Sequence, residues 1–175
     1  MTRPGGDDGG AVEPDEFERV AAERVSSLSA DGPIDLDTFA AMFELFRSST
    51  RIIGDLESTV HRPAGLSIAG FRVLFTVWVF ESLEPREIAR LAGVSTAAVS
   101  GVLTTLERGG LVEKARRADD RRRLDVTLTE TGRACVAGAY RAQNAREQEV
   151  FAALDRDELR AFTVTLRRLL KTPLD

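Results

Sequence analysis

The sequence predicts a mainly α-helical chain with one small β-hairpin. Three observations carry this. Apolar residues recur at three- and four-residue spacing through 35–61, 67–80 and 130–171. Two shorter helical segments, 84–93 and 96–108, are separated by Gly93 and a serine suited to helix capping. Two strand-like runs, 111–117 and 122–129, flank the turn sequence Ala118-Asp119-Asp120-Arg121.

Residues 1–14 are rich in Gly, Asp and Pro and are expected to be disordered. Over 16–29, Phe17, Val20, Ala21, Val25 and Leu28 have helical spacing, and Asp31-Gly32-Pro33 then breaks the chain. Residues 1–34 thus read as an acidic, partly disordered extension with a short helix. A long helix follows, with Leu36, Phe39, Phe43, Phe46, Thr50 and Ile53 on one stripe and Asp35 or Asp37 as its cap. It should end near His61, because Pro63 disfavours helical backbone in the residue before it. The next helix, 67–80, is apolar on nearly every side, which predicts a buried centre with Trp78 in the core. After the hairpin, one helix is expected over 130–151 and another over 155–171, the latter with Leu159, Phe162, Leu166, Leu169 and Leu170 on one face.

Composition bounds the function. Hydrophobic residues make up 43% and charged residues 30%, which fits a soluble globular protein. The single cysteine excludes an internal disulfide, and a reducing, cytoplasmic setting is expected. The N-terminus lacks the apolar core of a signal peptide, and the most apolar stretch, 66–80, is too short to span a bilayer, so no membrane partner is expected. The net charge of −4 is unevenly placed. Residues 1–35 carry nine acidic and three basic side chains, whereas 108–123 carry seven basic and three acidic ones. Exposed charges act within a Debye length of about 8 Å, so this local basic stripe outweighs the chain average at a phosphate surface.

The helix pair has a specific grammar. Ala89 allows close approach, Gly93 four residues later supplies the turn, and Val99 a further six on plugs the angle, with Ile88, Leu91, Val94, Val102, Leu103 and Leu106 completing the core. That spacing is a helix-turn-helix. Thr96, Ser100 and Thr104 lie one turn apart on the opposite face beside Ala97 and Gly101, and residues 95–106 carry no charge. Such a face suits a major groove, where it can touch phosphates, base edges and thymine methyls. The hairpin adds Arg116, Arg117, Arg121, Arg122 and Arg123. Arginine fits a narrow minor groove, and a neighbouring carboxylate can orient its guanidinium. Together these features predict a winged helix-turn-helix that binds double-stranded DNA.

The runs Glu87-Ile88-Ala89-Arg90-Leu91-Ala92-Gly93-Val94-Ser95, Leu103-Thr104-Thr105-Leu106-Glu107-Arg108-Gly109-Gly110-Leu111-Val112-Glu113 and Asp120-Arg121-Arg122-Arg123-Leu124-Asp125-Val126-Thr127-Leu128-Thr129-Glu130-Thr131-Gly132 resemble the MarR family of bacterial transcription regulators. The element order matches from about residue 35 to 170. The resemblance implies a winged-helix lobe at 66–129 and dimerisation helices at 35–62 and 130–171. It also implies a homodimer on a pseudo-palindromic operator, usually a repressor released by a small aromatic or phenolic ligand or by oxidation. It would make 95–105 the recognition helix, with Ser95, Thr96, Ala97, Ser100, Gly101 and Thr104 at DNA and Arg122 in the minor groove, oriented by Asp120. One departure is Gly101, where many members carry Arg or Lys; direct base readout should be correspondingly weak.

Other signals are sparser. Cys135 could support redox sensing, but no basic cluster activates it, so an inert packed thiol is expected. His61 stands without a ligand set, so no metal is expected, nor any cofactor. Arg47, Arg51 and Asp55 have the spacing of a surface ion-pair ladder. Arg51, His61 and Trp78 could alternatively border a cavity for an anionic aromatic effector. An enzyme is not expected, since the sequence has neither a Gly-rich phosphate loop nor a readable nucleophile-base set. The remaining alternative is a winged helix that binds proteins rather than DNA, against which the arginine-rich hairpin argues.

Overall fold

The computed structural model describes residues 14–116 and 124–173. The expected disorder of residues 1–14 and the hairpin tip at 117–123 fall outside the described residues, apart from Pro14. The elements run α1 (Pro14–Ser26), α2 (Leu36–Leu56), α3 (Ile68–Phe80), β1 (Ser82–Leu83), α4 (Pro85–Ala92), α5 (Thr96–Arg108), β2 (Val112–Arg116), β3 (Leu124–Leu128), α6 (Glu130–Val150) and α7 (Arg156–Lys171). The mainly helical class with a small antiparallel sheet is as the sequence predicts. Two compact units divide the chain between Arg51 and Ile52, within α2.

In the N-terminal unit, Asp35 starts α2. Its carboxylate accepts from the Thr38 backbone N–H at 3.0 Å and from the Thr38 hydroxyl at 2.9 Å. Phe43 packs against Phe39 and against Phe17 of α1, both at 5.4 Å between ring centroids. Arg47 lies over the Phe43 ring and pairs with Glu44 and, across to α1, Glu18. No described side chain of this unit is buried, and Phe17, Met42 and Phe46 stay exposed.

The second unit holds the core. Phe71, Val73, Leu74 and Val77 of α3 pack with Ile88, Val99, Leu103, Leu106, Val112, Val126, Val136 and Ala139. At roughly 1.5–3 kcal/mol for each large side chain removed from water, this cluster is the main source of stability. The buried-centre reading of α3 holds for its first three turns and fails at its end. Trp78 is 38% exposed, and Val79 and Phe80 more so, because the chain turns away at Glu81 (φ 66°) before other elements can cover them. β3 is the central strand, between β1 and β2, all antiparallel, with Leu83 opposite Val126 and Lys114 also opposite Val126 from the other side. β1 has two residues, too few to show the alternation by which strands are read.

Between α2 and α3 the chain makes one π-helical turn, Glu57–His61, closed by Arg62 N–H to Glu57 C=O at 2.9 Å. The extra residue per turn brings the adjacent Val60 and His61 both to the inside. His61 is fully buried, stacked on Phe71 at 4.4 Å. Gln143 donates through its amide nitrogen to Glu147 and presents its oxygen to His61 Nε2 at 2.9 Å. His61 Nε2 is then the donor, and its buried Nδ1 has no partner. Asp55, expected in a ladder with Arg47 and Arg51, accepts from Arg146 of α6. α7 opens on a capping box of Asp155 and Glu158 and buries no residue; Phe162, Val164, Leu169 and Leu170 remain exposed.

Candidate nucleic-acid interface

The sequence builds this site from a turn outward. Gly93 adopts the left-handed conformation (φ 64°, ψ 37°) that a side chain resists, and Ser95 caps α5 by accepting from the Ala98 N–H at 3.2 Å. α4 and α5 consequently meet at 109°, within the range of helix-turn-helix pairs. Ala89 and Val99 are buried in the angle, as their spacing predicts. Val94 and Val102 are partly buried against the same core, whereas Leu91 is 38% exposed and does not belong to it.

Ser95, Thr96, Ala97, Ser100, Gly101 and Thr104 all lie on the exposed surface of α5 or at its cap. Their hydroxyls are not equivalent. Thr104 donates to the Ser100 carbonyl at 2.9 Å and Thr105 to the Gly101 carbonyl at 3.1 Å. In that arrangement these two threonines turn methyls and acceptor lone pairs outward and have no proton for a phosphate. Ser95 uses an oxygen lone pair for its cap and keeps its proton. Ser95 thus keeps a donor at the N-terminal end of this face, whereas Thr104 and Thr105 further along offer methyl groups and acceptors.

Two cations sit at that N-terminal end which the sequence reading passed over. An open cleft of about 710 Å³ is lined by Arg86, Arg90, Ser95 and Thr96 among others. Arg90 donates two hydrogen bonds to Glu87, at 2.7 and 3.1 Å, which fixes its guanidinium. Arg86 is exposed. Both arginines lie on α4 four residues apart, one turn from each other and outside the basic stripe at 108–123. At the other end Lys114 is tied to Glu107 at 2.7 Å. Arg116 ends β2 with its side chain exposed, while Arg117, Asp120, Arg121, Arg122 and Arg123 lie outside the described residues.

The suggested effector residues are only partly brought together. His61 and Trp78 stand at two ends of an aromatic chain, His61–Phe71–Phe75–Trp78, with Tyr140 against both Phe75 and Trp78. Arg51 belongs to the N-terminal unit, in a groove with Glu44, Phe46 and Arg47. Burial pushes the Cys135 thiol up, which leaves less of the reactive thiolate at neutral pH. Among the described residues no cluster of His, Cys, Asp and Glu could hold a metal ion, and no single helix is long and apolar enough to cross a membrane.

A helix pair meeting at 109°, followed by an antiparallel strand pair, with the exposed face of the second helix uncharged from Ser95 to Leu106, defines a winged helix-turn-helix protein. The MarR family model matches residues 66–124. The uncharacterized HTH-type transcriptional regulator YwaE of Bacillus subtilis is 32% identical over 136 residues, which cover 78% of this chain and 80% of that protein. The HTH-type transcriptional repressor Rv2887 of Mycobacterium tuberculosis is 33% identical over 107 residues, 61% of this chain and 77% of its own. Its structure in complex with p-aminosalicylic acid superposes with a TM-score of 0.61 at 28% identity, over 73% of this chain and 95% of that one. BpsR of Bordetella bronchiseptica, whose DNA binding is regulated by 6-hydroxynicotinic acid, superposes with a TM-score of 0.69 at 25% identity, over 75% of this chain and 99% of that one. The chain belongs to the MarR family: it is a DNA-binding transcriptional regulator and not an enzyme.

Proposed function

We propose that this regulator is a homodimeric, sequence-specific repressor that acts in the cytoplasm and grips a pseudo-palindromic operator through α5 and the arginine hairpin. The carrying observation is the exposed face of α5, which has no charged residue from Ser95 to Leu106. A solvated helix surface is normally charged; a bare one gains by docking in a groove. Ser95, Thr96, Ala97, Ser100, Gly101 and Thr104 would line the major groove, Arg116 and Arg117 would reach the backbone with Arg121 and Arg123, and Arg122, steadied by Asp120, would enter the minor groove. Support for the dimer comes from α7, an amphipathic helix with no buried residue, and from the exposed Phe17, Met42 and Phe46. Such faces are stable in water when a second copy covers them.

Release would come from a small anionic aromatic ligand. The two relatives named with ligands are named with aromatic acids. In this chain the aromatic run from His61 to Trp78 offers ring faces to such a ligand. A salt titration against duplex DNA from upstream of the protein's own gene tests the reading. Affinity should fall steeply as salt rises, because each neutralised phosphate releases counterions. Absence of duplex binding at low salt would sink it.

A further inference from the structure

We propose that Thr129 and Gly132 form a positioning joint between the recognition helix and α6, and that this joint sets the half-site spacing the dimer accepts. The inference rests on the homodimer reading above.

The joint is built from backbone. Gly109 N–H bonds the Thr105 carbonyl at 3.0 Å, Gly110 N–H the Glu107 carbonyl at 2.9 Å, and Leu111 N–H the Leu106 carbonyl at 2.9 Å. Residues 109–111 are thus locked to the last turn of α5. Thr129, the N-cap of α6, meets them directly. Its hydroxyl donates to the Gly110 carbonyl at 2.7 Å and accepts from the Gly132 N–H at 2.9 Å, while its own N–H donates to the Leu111 carbonyl at 3.2 Å. One hydroxyl therefore links the end of the recognition helix to the first turn of α6. Gly132 closes the contact: a Cβ there would lie 1.9 Å from the Leu111 carbonyl oxygen and 2.9 Å from its carbon. Ordinary contact begins at 3.4 Å, so a methyl group would force the two backbones apart. The nearest atoms are all Leu111 backbone, which cannot swing aside as a flexible side chain can.

Leverage gives the joint its consequence. α6 has 21 residues and is about 30 Å long at 1.5 Å per residue. A tilt of about 10° at its start displaces its far end by roughly 5 Å, more than the 3.4 Å between successive base pairs. In a dimer joined through the far part of α6 and α7, that tilt changes the separation of the two recognition helices by about a base-pair step. A two-fold protein selects its half-site spacing by that separation.

The test selects duplexes from a pool randomised over thirty positions, using the full chain and the variants Thr129→Ser, Thr129→Val and Gly132→Ala, each checked for dimer mass and helical content. The wild type and Thr129→Ser, which keeps the bridging hydroxyl, should enrich one sharply defined half-site spacing. Thr129→Val and Gly132→Ala should enrich the same half-site sequence with spacing broadened or shifted by at least one base pair, and should bind the wild-type duplex roughly tenfold more weakly. A general loss of stability would weaken binding without moving the spacing. If Gly132→Ala does not fold, the Thr129→Val and Thr129→Ser pair carries the comparison alone. Paired half-sites whose spacing ignores Thr129→Val overturn the joint. A wild-type selection without paired half-sites overturns the homodimer reading, and the joint with it.

Discussion

Arg146 donates two parallel hydrogen bonds to Asp55, both of 2.7 Å, across 91 positions of sequence. The bidentate fork holds the start of the second unit to α6, and a further bond to Glu149 fixes the guanidinium from its other side. The Asp55 and Glu149 carboxylates raise the guanidinium pKa still higher, so Arg146 remains charged at every pH of interest.

Asp55→Asn should therefore lower the thermal midpoint, and Arg146→Lys should lower it as well, since an ammonium cannot form the fork. Both side chains are partly solvated, so the loss should shrink in high salt. Differential scanning calorimetry at low and high ionic strength reads this. Midpoints equal to the wild type in low salt would remove the pair from the stability argument.

The helix-turn-helix angle rests on two residues with different failure modes. Gly93→Val should cost about 1–2 kcal/mol through backbone strain at a positive φ, with no cavity formed. Val99→Ala should cost about 2 kcal/mol through lost burial and an unfilled space. Urea denaturation separates the variants from wild type, and a neutral Gly93→Val would contradict the turn geometry.

Arginines at the two ends of the proposed interface should behave differently. Arg86→Ala should weaken binding to all duplexes alike and reduce the salt slope by about one unit, the signature of a lost phosphate contact. Arg122→Ala should weaken operator binding more than random-duplex binding, because a minor-groove arginine reads shape. Fluorescence anisotropy on an operator and a scrambled duplex at three salt concentrations decides. Equal losses on both duplexes for Arg122→Ala would assign it to the backbone instead.

Asp35 makes α2 sensitive to acid. Hydrogen bonds from Thr38 hold its carboxyl below its ordinary value of 3.8. A depressed folded value means the cap contributes above the unfolded pKa and is lost as pH falls through the folded one. The difference in thermal midpoint between wild type and Asp35→Ala should be full at pH 7 and narrow as pH falls below the ordinary carboxyl range. A difference undiminished at pH 2 would show that the carboxylate charge plays no part.

Local chemistry was legible in the sequence, and long-range chemistry was not. Gly93, Ser95 and Asp35 announce turns and caps because each acts within three residues of itself. The exposed face of α5 could be read because one helix and its missing charges define it. Three features could not. Trp78 is exposed because of where the chain turns at Glu81, which apolar periodicity does not encode. The π turn at 57–61 places His61 against Phe71 and Gln143, one of them 82 positions away, and local spacing does not encode either contact. Asp55 has a plausible partner four residues off in Arg51, and spacing gave no sign of Arg146. In the candidate site, Arg86 and Arg90 are not legible from charge density, because each stands beside an acidic neighbour, Glu84 or Glu87, before the turn.

Gly101 leaves a vacant position in the middle of the proposed reading surface. An added Cβ there would meet nothing within 4 Å, and the backbone is already helical, so alanine in its place should favour the helix by about 0.5–1 kcal/mol. The fold thus exerts no pressure to keep glycine, and most side chains could enter without cost to the scaffold. A regulator with such an open slot can acquire a new base preference in a single mutational step without disturbing its fold. Duplicated copies of this chain could diverge onto separate operators by changing that residue first.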